Sequence, residues 1–311
     1  MSSQYDISVI TPVHNEAEAI SGFGEDLLKA LQSSRLHFEI IFVDDGSLDN
    51  SCEILKSFQQ RSPGRIKILR LGRNFGHQLA ITAGMRVAKG RAAVIMDSDG
   101  QDPPAVILDF IEYWQQGFDI VYGVRTERKG ETWFKKWTAS LFYKLLRMLT
   151  SIDIPENVGD FYLLDRKVLD ILNAMEERHR FMRGLVAWVG FKRKGVGYVR
   201  EPRTKGKTKF GFWQMLKFSF DAATTFSFVP LRAISFLGLI ISFFSFIGIL
   251  VTIYLRLFTN YTITGWSSLM VGVLFIGGIQ LLAIGVIGEY IARIGDDVKR
   301  RPLYTVKEFL E

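Results

Sequence analysis

Between Arg232 and Arg256 the chain runs through 23 consecutive residues, Ala233–Leu255, without a charged side chain. As a helix rising 1.5 Å per residue, such a run reaches roughly 35 Å, enough to cross a hydrocarbon core of about 30 Å. A second uncharged run, Leu257–Gly288, has its apolar centre at Leu269–Ile287. Two membrane-spanning helices are the expectation, with a buried hairpin of a soluble fold as the alternative. These runs account for the positive mean hydropathy of +0.14, because residues 1–230 mix charged, polar and apolar positions as a globular domain does.

The flanks of the two runs set an orientation. Lys205, Lys207, Lys209, Lys217 and Arg232 precede the first run, and Arg293, Lys299, Arg300, Arg301 and Lys307 follow the second. The join Leu257–Ser268 holds no Lys or Arg, so the bias of basic residues places both termini and the N-terminal domain in the cytoplasm. Arg256 departs mildly from this pattern and can snorkel outward. Residues Met1–Asp6 lack a basic leader and enter a strand-like run directly, which argues against a secretory signal. The lone cysteine, Cys52, rules out an internal disulfide framework and suits a reducing compartment. A net charge of +7 fits an anionic membrane surface and anionic ligands. Nucleic acid would also suit that charge, but has no need of two spans.

The first third of the chain alternates strand-like and helix-like segments. Ile7–Val13, Phe38–Val43, Ile66–Leu71, Ala92–Met96 and Phe118–Tyr122 are short apolar runs. Helical patterns lie between them at Glu16–Gln32, Asp49–Arg61, His77–Ala88 and Pro103–Gln116. Short apolar runs separated by helices predict an α/β, doubly wound parallel sheet buried on both faces, with a ligand at the carboxyl ends of its strands. Farther on, Trp133–Leu149 repeats Trp and Leu every four residues opposite Lys135, Lys136 and Arg147. It suits an interfacial helix on a membrane or a helix packed on the domain core. Phe210–Val229, rich in Phe, reads as a juxtamembrane segment.

Three of the strand-like runs end in acidic or turn residues: Pro12-Val13-His14-Asn15-Glu16, Asp44-Asp45-Gly46-Ser47, and Asp97-Ser98-Asp99-Gly100-Gln101-Asp102. Any one of them could be turn and helix-cap chemistry, with Asn15, Ser47 or Asp102 as the cap. Three together carry more weight, since converging carboxylates repel unless a cation or a donor-rich ligand compensates them. Arg73, Asn74, Gly76 and His77 form a polar turn that is either a ligand-side wall or purely structural. The four histidines, His14, His37, His77 and His179, show no metal-ligand spacing.

On the segments VITPVHNEA, VDDGSLDNS, LGRNFGHQLAITAG, MDSDGQDPP and VGDFYLLDR, the chain resembles the family-2 inverting glycosyltransferases of the GT-A fold. Within them it is similar to the polyprenyl-phosphate glycosyltransferases, such as dolichol-phosphate mannose synthases and bactoprenol glucosyltransferases. The resemblance implies a GT-A (Rossmann-like) nucleotide-sugar-binding domain followed by interfacial helices and two transmembrane helices. It implies a donor-nucleotide site of Pro12, His14, Glu16, Asp44 and Asp45 with Arg73, Asp97 and Ser98. It also implies that Asp97, Asp99 and Gln101 hold Mg²⁺ or Mn²⁺ on the donor diphosphate, Asp99 counting among the catalytic residues. Hard divalent ions take carboxylate and phosphate oxygens and act as Lewis acids on the leaving group.

A polyprenyl-phosphate acceptor needs cations close to the membrane. Arg125 and Arg200 qualify, and the run Arg203-Thr204-Lys205-Gly206-Lys207-Thr208-Lys209 resembles the family's acceptor loop, with Thr208 where Ser is commoner. Arg203 and Lys209 are the expected phosphate contacts; the other reading of this run is a solvated basic linker. Asp160, in Val158-Gly159-Asp160-Phe161, matches the subgroup's catalytic-base position. A phosphate monoester with a second pKa of about 6 is already ionised at neutral pH, so Asp160 could equally orient the acceptor. The expected reaction is inverting hexosyl transfer from a nucleoside-diphosphate sugar, UDP-glucose or a related UDP-hexose, to polyprenyl phosphate. The competing readings are a processive polysaccharide synthase, which would want a Gln-x-x-Arg-Trp motif that Phe181–Phe191 lacks, and a non-catalytic membrane scaffold or transport partner.

The expected division is a cytoplasmic catalytic domain at 1–209, a juxtamembrane helix at 210–230, two transmembrane helices at 231–293 and a cytoplasmic tail at 294–311. Small residues four apart, Gly238 with Ser242 and Gly248 with Thr252, together with Gly277, Gly285 and Gly288, suit close helix approach and a homo-oligomer.

Overall fold

The computed structural model describes residues 5–127, 155, 157–178, 180–201, 229–258 and 265–311. Two compact units divide the chain: residues 1–217 with 301–311 form one, and residues 218–300 the other. The segments at 133–149 and 210–228, and the basic loop with Arg203 and Lys209, lie outside the described residues.

The first unit opens as the apolar periodicity predicts. Strands β1 (Tyr5–Val13), β2 (Phe38–Asp44), β3 (Ile66–Leu71) and β4 (Gly90–Ile95) alternate with helices α1 (Ile20–Ser33), α2 (Ser51–Arg61) and α3 (His77–Val87). Every residue of β2 is buried, as are the last seven of β1. That burial is why these strands read as unbroken Val/Ile/Phe runs rather than as an alternation. Helix α4 (Val106–Gln115) leads to β5 (Ile120–Glu127). There follow β6 (Val158–Asp165), α5 (Arg166–Ala174), α6 (Met182–Trp188) and β7 (Arg193–Val199). A last strand, β8 (Val306–Leu310), returns after the second unit.

Among the described residues these strands form one eight-stranded sheet in the order β7-β5-β6-β4-β1-β2-β3-β8. The expectation of a wholly parallel sheet is corrected here. The block β4-β1-β2-β3 is parallel, but β6 enters antiparallel between β4 and β5, and β8 pairs antiparallel with β3. This reversal brings the beginning of β6 to the same edge as the carboxyl end of β4, with Tyr162 opposite Ile95. Beneath that junction Phe161 packs on Phe110 of α4, with ring centroids 4.6 Å apart, and edge-on against Tyr198 of β7 at 5.6 Å.

The second unit consists of α7 (Val229–Phe258) and α8 (Trp266–Val298). Phe236, Phe243 and Phe244 of α7, and Leu269, Leu281 and Ile284 of α8, are exposed. Among the described residues one stretch, Phe275–Val298, is long and apolar enough to cross a membrane by length and composition. The span read as a tail, 294–311, divides between the end of α8 and the sheet strand β8.

Opposite the carboxyl edge lies a buried charge cluster. Glu39, fully buried, accepts from Ser8 Oγ at 2.6 Å and from the Lys89 amide at 2.6 Å, and pairs with Lys67 Nζ at 2.9 Å. Glu311 approaches the same Lys67 at 3.5 Å and Lys89 Nζ at 2.9 Å. Removing one partner of a buried pair leaves the other charge desolvated, at a cost of about 3–5 kcal/mol. Lys67→Met is therefore expected to lower the thermal unfolding midpoint markedly, whereas Lys29→Met, at an exposed i,i+3 pair with Asp26, leaves it unchanged; equal midpoints for the two variants would contradict the role of the cluster.

Candidate active site

The turns that close β1, β2, β3 and β4 meet around a cavity of about 220 Å³ lined by Pro12, His14, Glu16, Asp45, Asn74, Gly76, His77, Asp97, Ser98 and Asp99. These turns lock one another. Asn15, held at φ 54°, receives the Leu48 amide on its side-chain oxygen at 2.8 Å, and its own amide donates to Ser47 Oγ at 3.1 Å. Gly46 sits at φ 66°, and a Cβ there would lie 2.6 Å from the backbone of Arg73 and Asn74. Only glycine meets both conditions without strain. Asp45 completes the junction: its two carboxylate oxygens accept the Phe75 and Gly76 amides at 2.7 and 2.9 Å. His14 Nδ1 lies 2.9 Å from the Asp45 carbonyl, and its Nε2 lies 3.0 Å from Asn74 Nδ2.

Several expected donor residues therefore share one wall, and others do not. Asp44 is fully buried beneath the turn; it accepts the Ser47 amide at 2.9 Å and pairs with Arg70 at 3.2 Å. Arg73 stands outside the lining, stacked over the Phe75 ring at 4.2 Å. Gln101 also lies off the lining, its side-chain amide donating to the Glu201 carbonyl at 3.2 Å. Arg125 lies deeper, with Nε 3.3 Å from Tyr198 Oη, and the same hydroxyl donates to Asp102 at 2.6 Å. Asp102, for which the sequence offered helix capping as one reading, is buried; it accepts from Tyr198 and forms an ion pair with Arg200 at 3.4 Å.

Asp97 lines the cavity, and Asp160, which does not, meets it behind the lining residue His77. Asp97 and Asp160 are bridged by His77, whose Nε2 lies 3.3 Å from one and 3.4 Å from the other. Asp160 is buried and also receives Gln78 Nε2 at 3.0 Å and Arg183 Nε at 3.0 Å. Gln78 uses its other end to accept the Met182 amide at 2.9 Å, which ties α6 to the site. Burial alone would raise the Asp160 pKa, but Arg183 and His77 outweigh it and hold the carboxyl far below the usual carboxylate range. Asp97 goes the other way: burial, reinforced by Asp102, Asp160 and Asp99, pushes it up to about 6 against the pull of His77. Gln78 and Arg183 escaped the sequence reading because neither stands in an acidic turn. His77 was seen there only as part of a polar turn and a set of histidines without metal spacing.

Among the described residues, no three His, Cys, Asp or Glu side chains gather as a ready-made metal cage. Asp97 Oδ1 is nevertheless buried without a hydrogen-bond donor. Asp99 lines the same cavity, with one oxygen on the Gln101 amide at 3.1 Å and the other 3.7 Å from Arg200. One or two carboxylates facing a cavity fit a hard divalent ion that takes the rest of its shell from phosphate oxygens and water.

The His77 imidazole would lose affinity for its proton through burial, but Asp97 and Asp160 reverse this and push its pKa up to about 9. With a folded value above the ordinary 6.5, protonated His77 contributes stability that is complete below about 6.5 and is lost as pH rises through the folded value. In metal-free protein, the imidazole resonance of His77 is thus expected to titrate well above the ordinary histidine range. Asp160→Asn should bring that midpoint down, and an ordinary midpoint in the unsubstituted protein would contradict the bridge.

The sequence profile of Glycosyl transferase family 2 matches residues 8–172. A protein named uncharacterized glycosyltransferase YkcC, from Bacillus subtilis (strain 168), is 50% identical over 308 residues, covering 99% of this chain and 95% of its own. The bactoprenol glucosyl transferase of Shigella phage SfII is 39% identical over 303 residues, covering 97% of each chain. Among solved structures, mannosyl-3-phosphoglycerate synthase from Rubrobacter xylanophilus aligns with a TM-score of 0.48 at 16% identity over 74% of each chain. The profile spans more than half of the chain, and the acidic turns on the cavity wall fall inside it: the chain belongs to glycosyl transferase family 2 and is a glycosyltransferase.

Proposed function

We propose that this glycosyltransferase moves a hexosyl group from a nucleoside-diphosphate sugar, UDP-glucose or a related UDP-hexose, to polyprenyl phosphate, inverting the anomeric centre. The observation that carries the donor side is the single wall on which Asp45, Asp97 and Asp99 face one cavity. Full-length similarity to relatives named bactoprenol glucosyl transferase supports the lipid acceptor.

In this reading, Pro12, His14, Glu16 and Asp45 bind the nucleoside. Asp45 and His14 are pinned by the Gly72–Gly76 segment, so the base meets groups already in place, and Ser98, whose hydroxyl donates to the Pro12 carbonyl at 2.9 Å, fixes the spacing between two turns. Asp44 supports the site from below, and Arg73 stands at its rim. Asp97 and Asp99, with Gln101 close by, would hold Mg²⁺ or Mn²⁺, which supplies Lewis-acid stabilisation of the departing diphosphate. Asp160, ionised and held by four donors, is suited to orienting the acceptor rather than removing a proton. The phosphate needs no base, being largely ionised near neutral pH. Arg125, Arg203 and Lys209 are the proposed acceptor-phosphate contacts.

The same proposal places α7 and α8 as two spans, with the catalytic unit and both termini on the cytoplasmic side, and assembles copies of the chain through the small residues of those helices. The exposed apolar side chains of α7 and α8 and the basic flanks support this arrangement.

Asp97→Asn and Asp99→Asn are each expected to cut transfer at least about 100-fold, the scale of losing an electrostatic contact made in the transition state. Chelation should silence the unsubstituted enzyme until Mg²⁺ or Mn²⁺ is returned. Radiolabelled nucleotide sugars with membranes and polyprenyl phosphate provide the assay; transfer undiminished in excess chelator would exclude the metal. Asp160→Asn should lose roughly tenfold near neutral pH and less as the acceptor phosphate ionises fully, given its second pKa of about 6. A steep loss at every pH would instead make Asp160 a base.

A further inference from the structure

The donor wall has a support that neither the acidic turns nor the family profile contains. Strand β8 pairs with β3 through Ile68 opposite Leu310, Leu69 opposite Phe309 and Arg70 opposite Glu308, and the register shifts before Leu71 meets Val306. Just beyond, the Gly72 amide donates to the Thr305 carbonyl at 2.8 Å. A Cβ on Gly72 would lie 2.6 Å from Thr305 Oγ1. Gly72 is exposed and is not among the residues at positive φ, so a side chain here would meet the Thr305 hydroxyl rather than any demand of the backbone conformation. Tyr304 next to it lies under the guanidinium of Arg86, on α3, at 5.7 Å. The segment after α8 thus touches both the strand that enters the Gly72–Gly76 turn and the helix that leaves it. That turn supplies the Phe75 and Gly76 backbone amides to Asp45 and the Asn74 side-chain amide to His14.

We propose that Thr305, immediately before β8, is a positioning residue for the donor pocket: its packing on Gly72 sets the Gly72–Gly76 turn, and through it the orientation of Asp45 and His14. The nucleotide part of this statement rests on the donor reading given above. The wall that meets the base is therefore completed by residues that follow the apolar helix α8 in the chain. A catalytic unit ending before that helix lacks this support.

The test uses full-length protein in detergent or nanodiscs, with two readouts. Gly72→Ala inserts a methyl against Thr305 Oγ1, and the Phe75 and Gly76 amides should then exchange hydrogen about tenfold faster, as local opening becomes easier. Affinity for UDP should fall by about tenfold, which corresponds to about 1.4 kcal/mol. Adding Thr305→Ala removes the atom that collides and should return both quantities towards the starting values, whereas adding Thr305→Ser, which keeps the oxygen, should not. Thr305→Leu reaches the same contact from the opposite side and should reproduce the loss in a chain that keeps Gly72. Unchanged exchange in Gly72→Ala, or a loss that Thr305→Ala does not reverse, would overturn the proposal. If exchange responds as stated while the unsubstituted protein fails to bind UDP, the positioning of the turn stands and the nucleotide reading falls.

Discussion

The site depends on how five carboxylates are tolerated at one edge of a sheet. Asp45, Asp97, Asp99, Asp102 and Asp160 all come to the carboxyl ends of the parallel strands or beside them, where like charges cannot remain ionised without compensation. Each finds a different answer. Two backbone amides stabilise the Asp45 carboxylate, the Gln101 amide and Arg200 attend Asp99, Tyr198 and Arg200 serve Asp102, and Arg183 with Gln78 and His77 holds Asp160. Among the described residues Asp97 is paired with His77, 3.3 Å from its buried Oδ1, and that oxygen accepts no hydrogen bond, so its carboxyl is the one pushed upward. The least compensated acid is thus one that opens on the cavity.

Strand reversal makes this convergence possible. In an all-parallel sheet, the beginning of a strand lies at the edge opposite the ligand site. Because β6 runs antiparallel beside β4, its third residue, Asp160, reaches the ligand edge. The residue after it, Phe161, turns to the other face and packs between Phe110 and Tyr198. Polar and apolar requirements are met by adjacent residues on opposite faces of one strand. The same packing positions Tyr198, whose hydroxyl links Arg125 to Asp102.

The antiparallel strand β8 covers the other edge of the sheet, which would otherwise expose unpaired backbone groups of β3. The residues that flank β8 act at both ends of β3. At one end Glu311 joins the buried Lys67–Glu39 pair, and at the other Thr305 fills the space above Gly72. One short segment therefore both covers the sheet edge and lies against Gly72, at the start of the turn on the cavity wall. That segment follows the apolar helix α8 in sequence.

What the amino-acid sequence determined by itself is whatever local periodicity and local turn chemistry encode. The buried strands β1 to β4 were legible as continuous apolar runs, their intervening helices as amphipathic patterns, and the acidic turns at Asp45 and Asp97–Asp99 as groups needing a counter-charge. The long uncharged runs likewise announced the helices α7 and α8. Tertiary structure alone decided the rest. Strand direction leaves no mark on a six-residue apolar run, so the reversal of β6 was invisible; Asp160 was singled out by its motif, but its partners and its place behind His77 were not. Gln78, Arg183 and Thr305 act through partners 82, 23 and 233 residues away (Asp160 for the first two, Gly72 for the third). A polar side chain carries no local sign of which distant backbone or carboxylate will face it once the sheet has closed.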